Sequence, residues 1–192
     1  MRSAHVITGF CAVVLCAAAT GPSAPTLQVA DAQITTPLIL EKDEGERRVV
    51  RGWPGHPDPG ERFILKVDPK NGGSSHLVFM TADLGPGGEI VTHKHPGADE
   101  IVFLQTGTAR VHLGDAVRVV HAGATVFIPA GTWISVSNIG KDNIRMTVTF
   151  SAPGFEEYMR DGSVREGERN IPLSPAEDEE IAKKHQHAVI YQ

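Results

Sequence analysis

Cysteine is scarce in this chain, and its placement matters. Both cysteines, Cys11 and Cys16, lie in the opening stretch, which reads as an export leader. The mature chain then has no thiol, which excludes a cysteine nucleophile and a thiolate metal site, and with them any disulfide framework. A basic cluster is also missing. Eighteen Lys and Arg stand against 23 Asp and Glu, a net charge of −5, and nothing in that pattern suits nucleic acid as a partner. Losing Arg2 and Asp31 with the leader leaves the balance unchanged. The apolar run Val6 to Ala19 is short of the about 20 residues that span a bilayer. No motif set repeats along the chain. What remains has the length and composition of one globular domain with its own core, neither fibrous nor disordered.

The leader reading rests on Arg2 as a positive start, the apolar run, and small residues after it. Two cleavage sites of the A-x-A type are present, Ala17-Ala18-Ala19 and Ala30-Asp31-Ala32, and the second is preferred, giving a leader over 1–32. An uncleaved N-terminal anchor is the alternative. Lipid modification of Cys16 is disfavoured by the bulky Leu15 before it. The mature chain is expected in a periplasm or outside the cell, with no membrane association.

Residues 33–60 read as an N-terminal arm, with one strand near Arg47 to Arg51. A proline-punctuated loop, Trp53-Pro54-Gly55-His56-Pro57-Asp58-Pro59-Gly60, follows it; Trp53 reads as the arm's anchor, with a pocket wall as the alternative. Over 61–152 short β signals recur: Phe63–Val67, His76–Leu84, Glu100–Gln105, Thr108–Leu113, Val117–Val120, Thr125–Ile128, Trp133–Ile139 and Ile144–Phe150. Turns such as Asn71-Gly72-Gly73 and Gly85-Pro86-Gly87 separate them, the pattern of an all-β sandwich or barrel. Residues 153–192 form a helical extension. A short helix is predicted over Pro153–Arg160, with Phe155, Tyr158 and Met159 on one face. A second starts at Ser174-Pro175-Ala176-Glu177, a capping residue followed by proline and acid, and ends near Gln186.

Three potential metal ligands, His93, His95 and Glu100, fall within eight residues. Side chains alternate faces along a strand, so His93 and His95 project together. Pro96-Gly97-Ala98-Asp99 reads as a turn. In the next strand Glu100, Val102 and Leu104 share one face and Ile101 and Phe103 the other. With the first face inward, Glu100 points back at the imidazoles. Two imidazoles and a carboxylate suit a divalent first-row metal and leave coordination positions open.

The spacing around these residues is Gly87, five residues, His93-x-His95, four residues, Glu100, six residues, Gly107. It resembles the first motif of the cupin superfamily at every fixed position. Gly123, five residues, Pro129-x-Gly131, two residues, Ile134, three residues, Asn138 resembles the second motif, except that the family has histidine where this chain has Ile134. The resemblance covers roughly 60–152. It implies a jelly-roll (double-stranded β-helix) barrel, and the subgroup most similar is the quercetin-dioxygenase-like one. It also implies a homodimer, which would cover Ile101 and Phe103.

Two readings of function follow. In the first, His93, His95 and Glu100 hold a divalent metal, with Fe2+ favoured and Mn2+, Ni2+ or Zn2+ compatible. Dioxygen-dependent oxidation of a small organic molecule, aromatic ones included, would then take place there, with Glu100 either as ligand alone or also as proton acceptor. Ile134, Val102, Leu104, Phe127, Met146 and Val148 would supply an apolar pocket. In the second, the missing fourth ligand marks a non-catalytic cupin that binds or senses a small ligand; a sugar-isomerase cupin is a third option. Of the other histidines, His5 lies in the leader, His112 faces outward, His121 precedes a turn, and His185 and His187 are solvated. His76 sits on a strand within reach of the barrel, and His56 on the arm.

Overall fold

The computed structural model describes residues 35–55 and 61–192. The leader expected over 1–32, with both cysteines and His5, and the loop residues His56 to Gly60 lie outside the described residues. Among the described residues, twelve strands and two helices run in chain order: β1 Glu46–Val50, β2 Glu61–Val67, β3 Val78–Leu84, β4 Glu89–Lys94, β5 Glu100–Thr106, β6 Thr108–Leu113, β7 Ala116–His121, β8 Thr125–Ile128, β9 Ile134–Asn138, β10 Ile144–Phe150, α1 Phe155–Asp161, β11 Ser163–Arg165, α2 Pro175–Lys184 and β12 Ile190–Tyr191.

The strands form two antiparallel sheets, ordered β11-β1-β2-β3-β10-β5-β8 and β12-β4-β9-β6-β7. This is the expected jelly roll with one correction: among the described residues no strand pair joins the two sheets, so they do not close into a barrel. Strand alternation explains the core between them. In β10, Ile144, Met146, Val148 and Phe150 are buried while Arg145, Thr147 and Thr149 lie nearer solvent. Val102 and Leu104 of β5, Ala109 and Val111 of β6, and Ile134 and Val136 of β9 join the same apolar cluster. Each such side chain taken out of water contributes on the order of 1.5–3 kcal/mol.

The segments flanking the central strands are built into the sheets. The arm supplies β1, which pairs β2 on one side and β11 of the C-terminal extension on the other. Buried Lys66 holds the arm down, its ammonium donating to the carbonyls of Glu41, Lys42 and Glu44 at 2.7, 2.9 and 2.8 Å. Behind β1, the Arg160 guanidinium pairs with fully buried Asp68 at 2.5 Å and with Glu46 at 2.9 Å. Ser174 caps α2 as its sequence suggests: its hydroxyl accepts from the Glu177 N–H, and the Glu177 carboxylate accepts from Ser174. The helix ends at His185, which is buried and hydrogen-bonded to Asp161 at 2.7 Å, not solvated as expected. His76 is exposed and precedes β3, so it stands away from the interior.

Candidate metal centre

The three predicted ligands meet where the two sheets come together. His93 is on β4 of the smaller sheet, Glu100 opens β5 of the larger one, and His95 lies just beyond β4. All three are buried, and one ligand atom from each lies within 4.8 Å of the others. The motif glycines and Pro129 shape the surrounding turns. Gly107 has φ 85°, and a Cβ there would sit 2.6 Å from a methyl of Ile144, so only glycine allows β5 to turn tightly into β6. In the turn after Pro129, the Gly131 N–H donates to the His95 carbonyl at 2.8 Å. Asn138 is buried and donates to the carbonyls of Leu84 and Asp142, both at 2.9 Å, so it braces the fold and is not a ligand.

Second partners fix the imidazoles. His93 Nδ1 lies 2.9 Å from the Val91 carbonyl, and His95 Nδ1 lies 2.9 Å from the Ala188 carbonyl. A carbonyl only accepts, so each Nδ1 carries the proton and each Nε2 presents a lone pair, the form that ligates metal. His95 Nε2 and Glu100 Oε2 are fully buried with no hydrogen-bond partner. They stand 3.5 Å apart, too far for a good hydrogen bond. Unpaired buried polar atoms carry a substantial free-energy cost, and a cation between them would remove it. The donor set therefore fits a divalent metal and can hold one.

Electrostatics agree with that fit. Burial lowers His93, and burial with the neighbouring His93 drives His95 down to about 3, against the opposing Ala188 hydrogen bond. Burial alone raises Glu100 to about 8. Without metal, the interior therefore holds two neutral imidazoles and a protonated carboxyl at neutral pH. Metal binding would expel the Glu100 proton.

The adjoining cavity is about 40 Å³, room for a few waters by the usual allowance of roughly 10–15 Å³ each. Ile134, Val102, Met146 and Val148 line it, together with Met80 and Phe150. Leu104 sits deeper, in the packed core below. Phe127 is a correction: it is 55% exposed on the outer face of β8, where only Val126 and Ile128 turn inward. Ile134 is the direct cross-strand partner of His93, in register between β9 and β4. The expected pairing of the missing fourth ligand with the site therefore has a geometric basis.

The site also has residues that the sequence reading did not single out. β12 pairs with β4, setting Tyr191 opposite His93 with ring centroids 5.7 Å apart. Phe150 and Phe155 pack edge-on to His95 at 4.9 and 4.5 Å. The signal was present: Ala188-Val189-Ile190-Tyr191 is a short apolar run, β-branched at its centre, beyond a polar helix. Glu61 also lines the cavity. Its parity with inward Phe63 and Leu65 on β2 could have placed it there.

Residues 80–150 match the family model described as Cupin domain. That stretch is a cupin domain. Among proteins similar to this cupin, Germin-like protein subfamily 3 member 1 of Arabidopsis thaliana is 32% identical over 93 residues, 44% of this chain and 45% of that protein. A Germin-like protein of Morus alba is 37% identical over 82 residues, covering 40% of this chain and 39% of its own length. The chain thus spans less than half the length of these curated relatives. A solved structure of recombinant oxalate oxidase in complex with glycolate is similar at 26% identity and a TM-score of 0.45, over 56% of this chain and 55% of that one.

Proposed function

We propose that this cupin binds one divalent metal through His93, His95 and Glu100 and acts there as an oxidoreductase on a small organic molecule, Fe2+ being the favoured ion. The observation that supports this reading most is the pair of buried, unpartnered ligand atoms facing each other across 3.5 Å, His95 Nε2 and Glu100 Oε2. Two imidazoles and one carboxylate are the set that suits non-haem Fe(II) while leaving positions open. When bound, such a metal supplies Lewis acidity and one-electron chemistry toward dioxygen.

The chain's own residues do the rest. Val91 and Ala188 hold the two imidazoles in their ligating tautomer. Glu100 offers a carboxylate that can also take up a substrate proton. Ile134, Val102, Met146 and Val148 keep bulk water from the reacting atoms. The inner cavity limits the substrate, because about 40 Å³ does not admit a flavonoid. The part that reaches the metal must be a fragment of a few heavy atoms, or the β12 segment over His93 must move. Export of the mature chain belongs to the same proposal and rests on the leader pattern.

A second reading, a non-catalytic ligand-binding cupin, is favoured by Ile134 standing in the fourth-ligand position and by the small cavity. The deciding experiment is anaerobic reconstitution with Fe2+, followed by oxygen-electrode assays with small hydroxy acids and catechols. Metal-dependent oxygen uptake, lost in Glu100→Ala, supports the enzyme. Full metal occupancy with no uptake on any substrate supports the binding protein.

A further inference from the structure

A second hollow, about 340 Å³, opens beside the inner cavity and shares Glu61, Ile90 and Met159 with it. Its volume falls in the range of small-molecule sites. No predicted metal ligand lines it, so it can be considered apart from the metal centre.

Two kinds of side chain converge on this space. Trp53, Tyr158 and Tyr191 give aromatic walls, the two tyrosine rings 5.7 Å apart at 40°. The two tyrosine rings pack against each other, which fixes that part of the rim. Glu61, Glu89 and Asp178 supply carboxylates from the starts of β2, β4 and α2. Tyr158, Tyr191, Glu61 and Asp178 all line this one hollow, and both tyrosines feel the charges of the two carboxylates.

Among the described residues, neither Glu61 nor Asp178 has an ion-pair partner. Burial raises Glu61 to about 7 and raises Asp178, with no donor acting against it in either case. Glu61 is half-buried and lines the pocket. Arg51 is the one cationic lining residue among those described, and it is already engaged. Its Nε donates to the Ile171 carbonyl at 2.8 Å and its Nη2 pairs with Glu177 at 3.2 Å. An anionic ligand would therefore meet uncompensated carboxylates and a committed guanidinium. A cation would meet the reverse: opposite charge, and ring faces that attract it.

We propose that this outer pocket binds a small organic cation, an ammonium group carried on a compact apolar or aromatic body. The ring walls take the body, and Glu61 and Asp178 take the charge. Because the pocket adjoins the metal cavity, a molecule held here would present its far end toward Glu61, Ile90 and Met159.

The test is calorimetric titration of the purified protein with benzylamine, benzyl alcohol and benzoate, each with and without chelator. Benzylamine should bind saturably and at least about tenfold more tightly than benzyl alcohol. Benzoate should not bind, and chelator should make no difference. Glu61→Gln and Asp178→Asn should each weaken benzylamine about fivefold or more, while Glu179→Gln, exposed on α2 and outside the pocket, should leave it unchanged. If Glu61→Gln melts early, Asp178→Asn in the first turn of α2 carries the same test. Equal affinity for the alcohol or the carboxylate, no saturable benzylamine binding, or undiminished binding in the folded variants overturns the proposal. Because the titration is repeated without metal, its failure leaves the metal reading standing, and the converse also holds.

Discussion

Ile134→His tests the site's geometry most sharply. Ile134 is 2% exposed and lies opposite His93 across β4 and β9. Side chains directly opposite in an antiparallel pair have Cβ atoms about 5 Å apart, so a new imidazole can reach an ion held by His93. Removing the buried isoleucine forfeits roughly 1.5–3 kcal/mol of apolar burial, and an unpaired imidazole adds about 1–3 kcal/mol. The metal-free variant should therefore unfold at clearly lower denaturant. Even outer groups around a metal change affinity by about 10–100-fold, so an added ligand should tighten binding at least about tenfold. Metal at about 100 times its dissociation constant returns roughly 2.7 kcal/mol, and a tenfold gain in affinity adds about 1.4 kcal/mol at fixed metal. The assay pairs urea denaturation with a chelator series on the metal-loaded protein. The variant should be less stable bare, and should hold its metal at about tenfold higher free chelator than the wild type. A folded variant that releases metal at the wild-type chelator concentration would show that residue 134 does not face the ligands, and the pocket geometry would fall with it.

Other expectations follow from the same structure. Burial holds Glu100 near 8 against an ordinary 4.5, so the bare native state keeps a proton that the unfolded chain has released between those values. Bare stability should fall as pH rises through that window while metal affinity rises, each measurable by denaturation and by calorimetry at several pH values. His95 works the other way. Lowered to about 3 from 6.5, it contributes stability that is present above pH 6.5 and lost as pH falls below it. Deleting Ala188 to Gln192 removes the carbonyl that orients His95 and the ring against His93, and should weaken metal binding about tenfold or more in chelator competition. Lys66→Ala strands three carbonyls and should cost about 1–3 kcal/mol in urea unfolding; no loss would show the arm is not held there. Ile101, Phe103 and Phe127 are 44%, 40% and 55% exposed on one outer sheet face. We expect a dimer's mass by light scattering, shifted to the monomer by Phe127→Glu at unchanged melting temperature.

Much of the fold was legible because strand alternation is a local property. The inward set Glu100, Val102 and Leu104 and the outward pair Ile101 and Phe103 could be read residue by residue, and the burial of β5 follows that parity. The same parity places Phe127 outside with Ile101, its cross-strand neighbour, and not in the pocket where it was expected. The three ligands were legible because they are close in sequence. Contacts between distant segments were not. Asp161 and His185 lie 24 residues apart, and Ala188 and His95 lie 93 apart, so no local pattern records either pairing. The sheet order, with β1 between β2 and β11, depends on such long-range pairing too. Two separate sheets, where a closed barrel was expected, likewise reflect pairing that alternation along single strands does not encode.

The central claim is that His93, His95 and Glu100 form one metal centre. Its most direct test is the divalent-metal content of the protein purified without chelator, beside His93→Ala and Glu100→Ala, each checked for a folded far-UV spectrum. The account predicts up to one metal per chain in the wild type and loss of that metal in both variants. Equal metal content in all three folded proteins would contradict it.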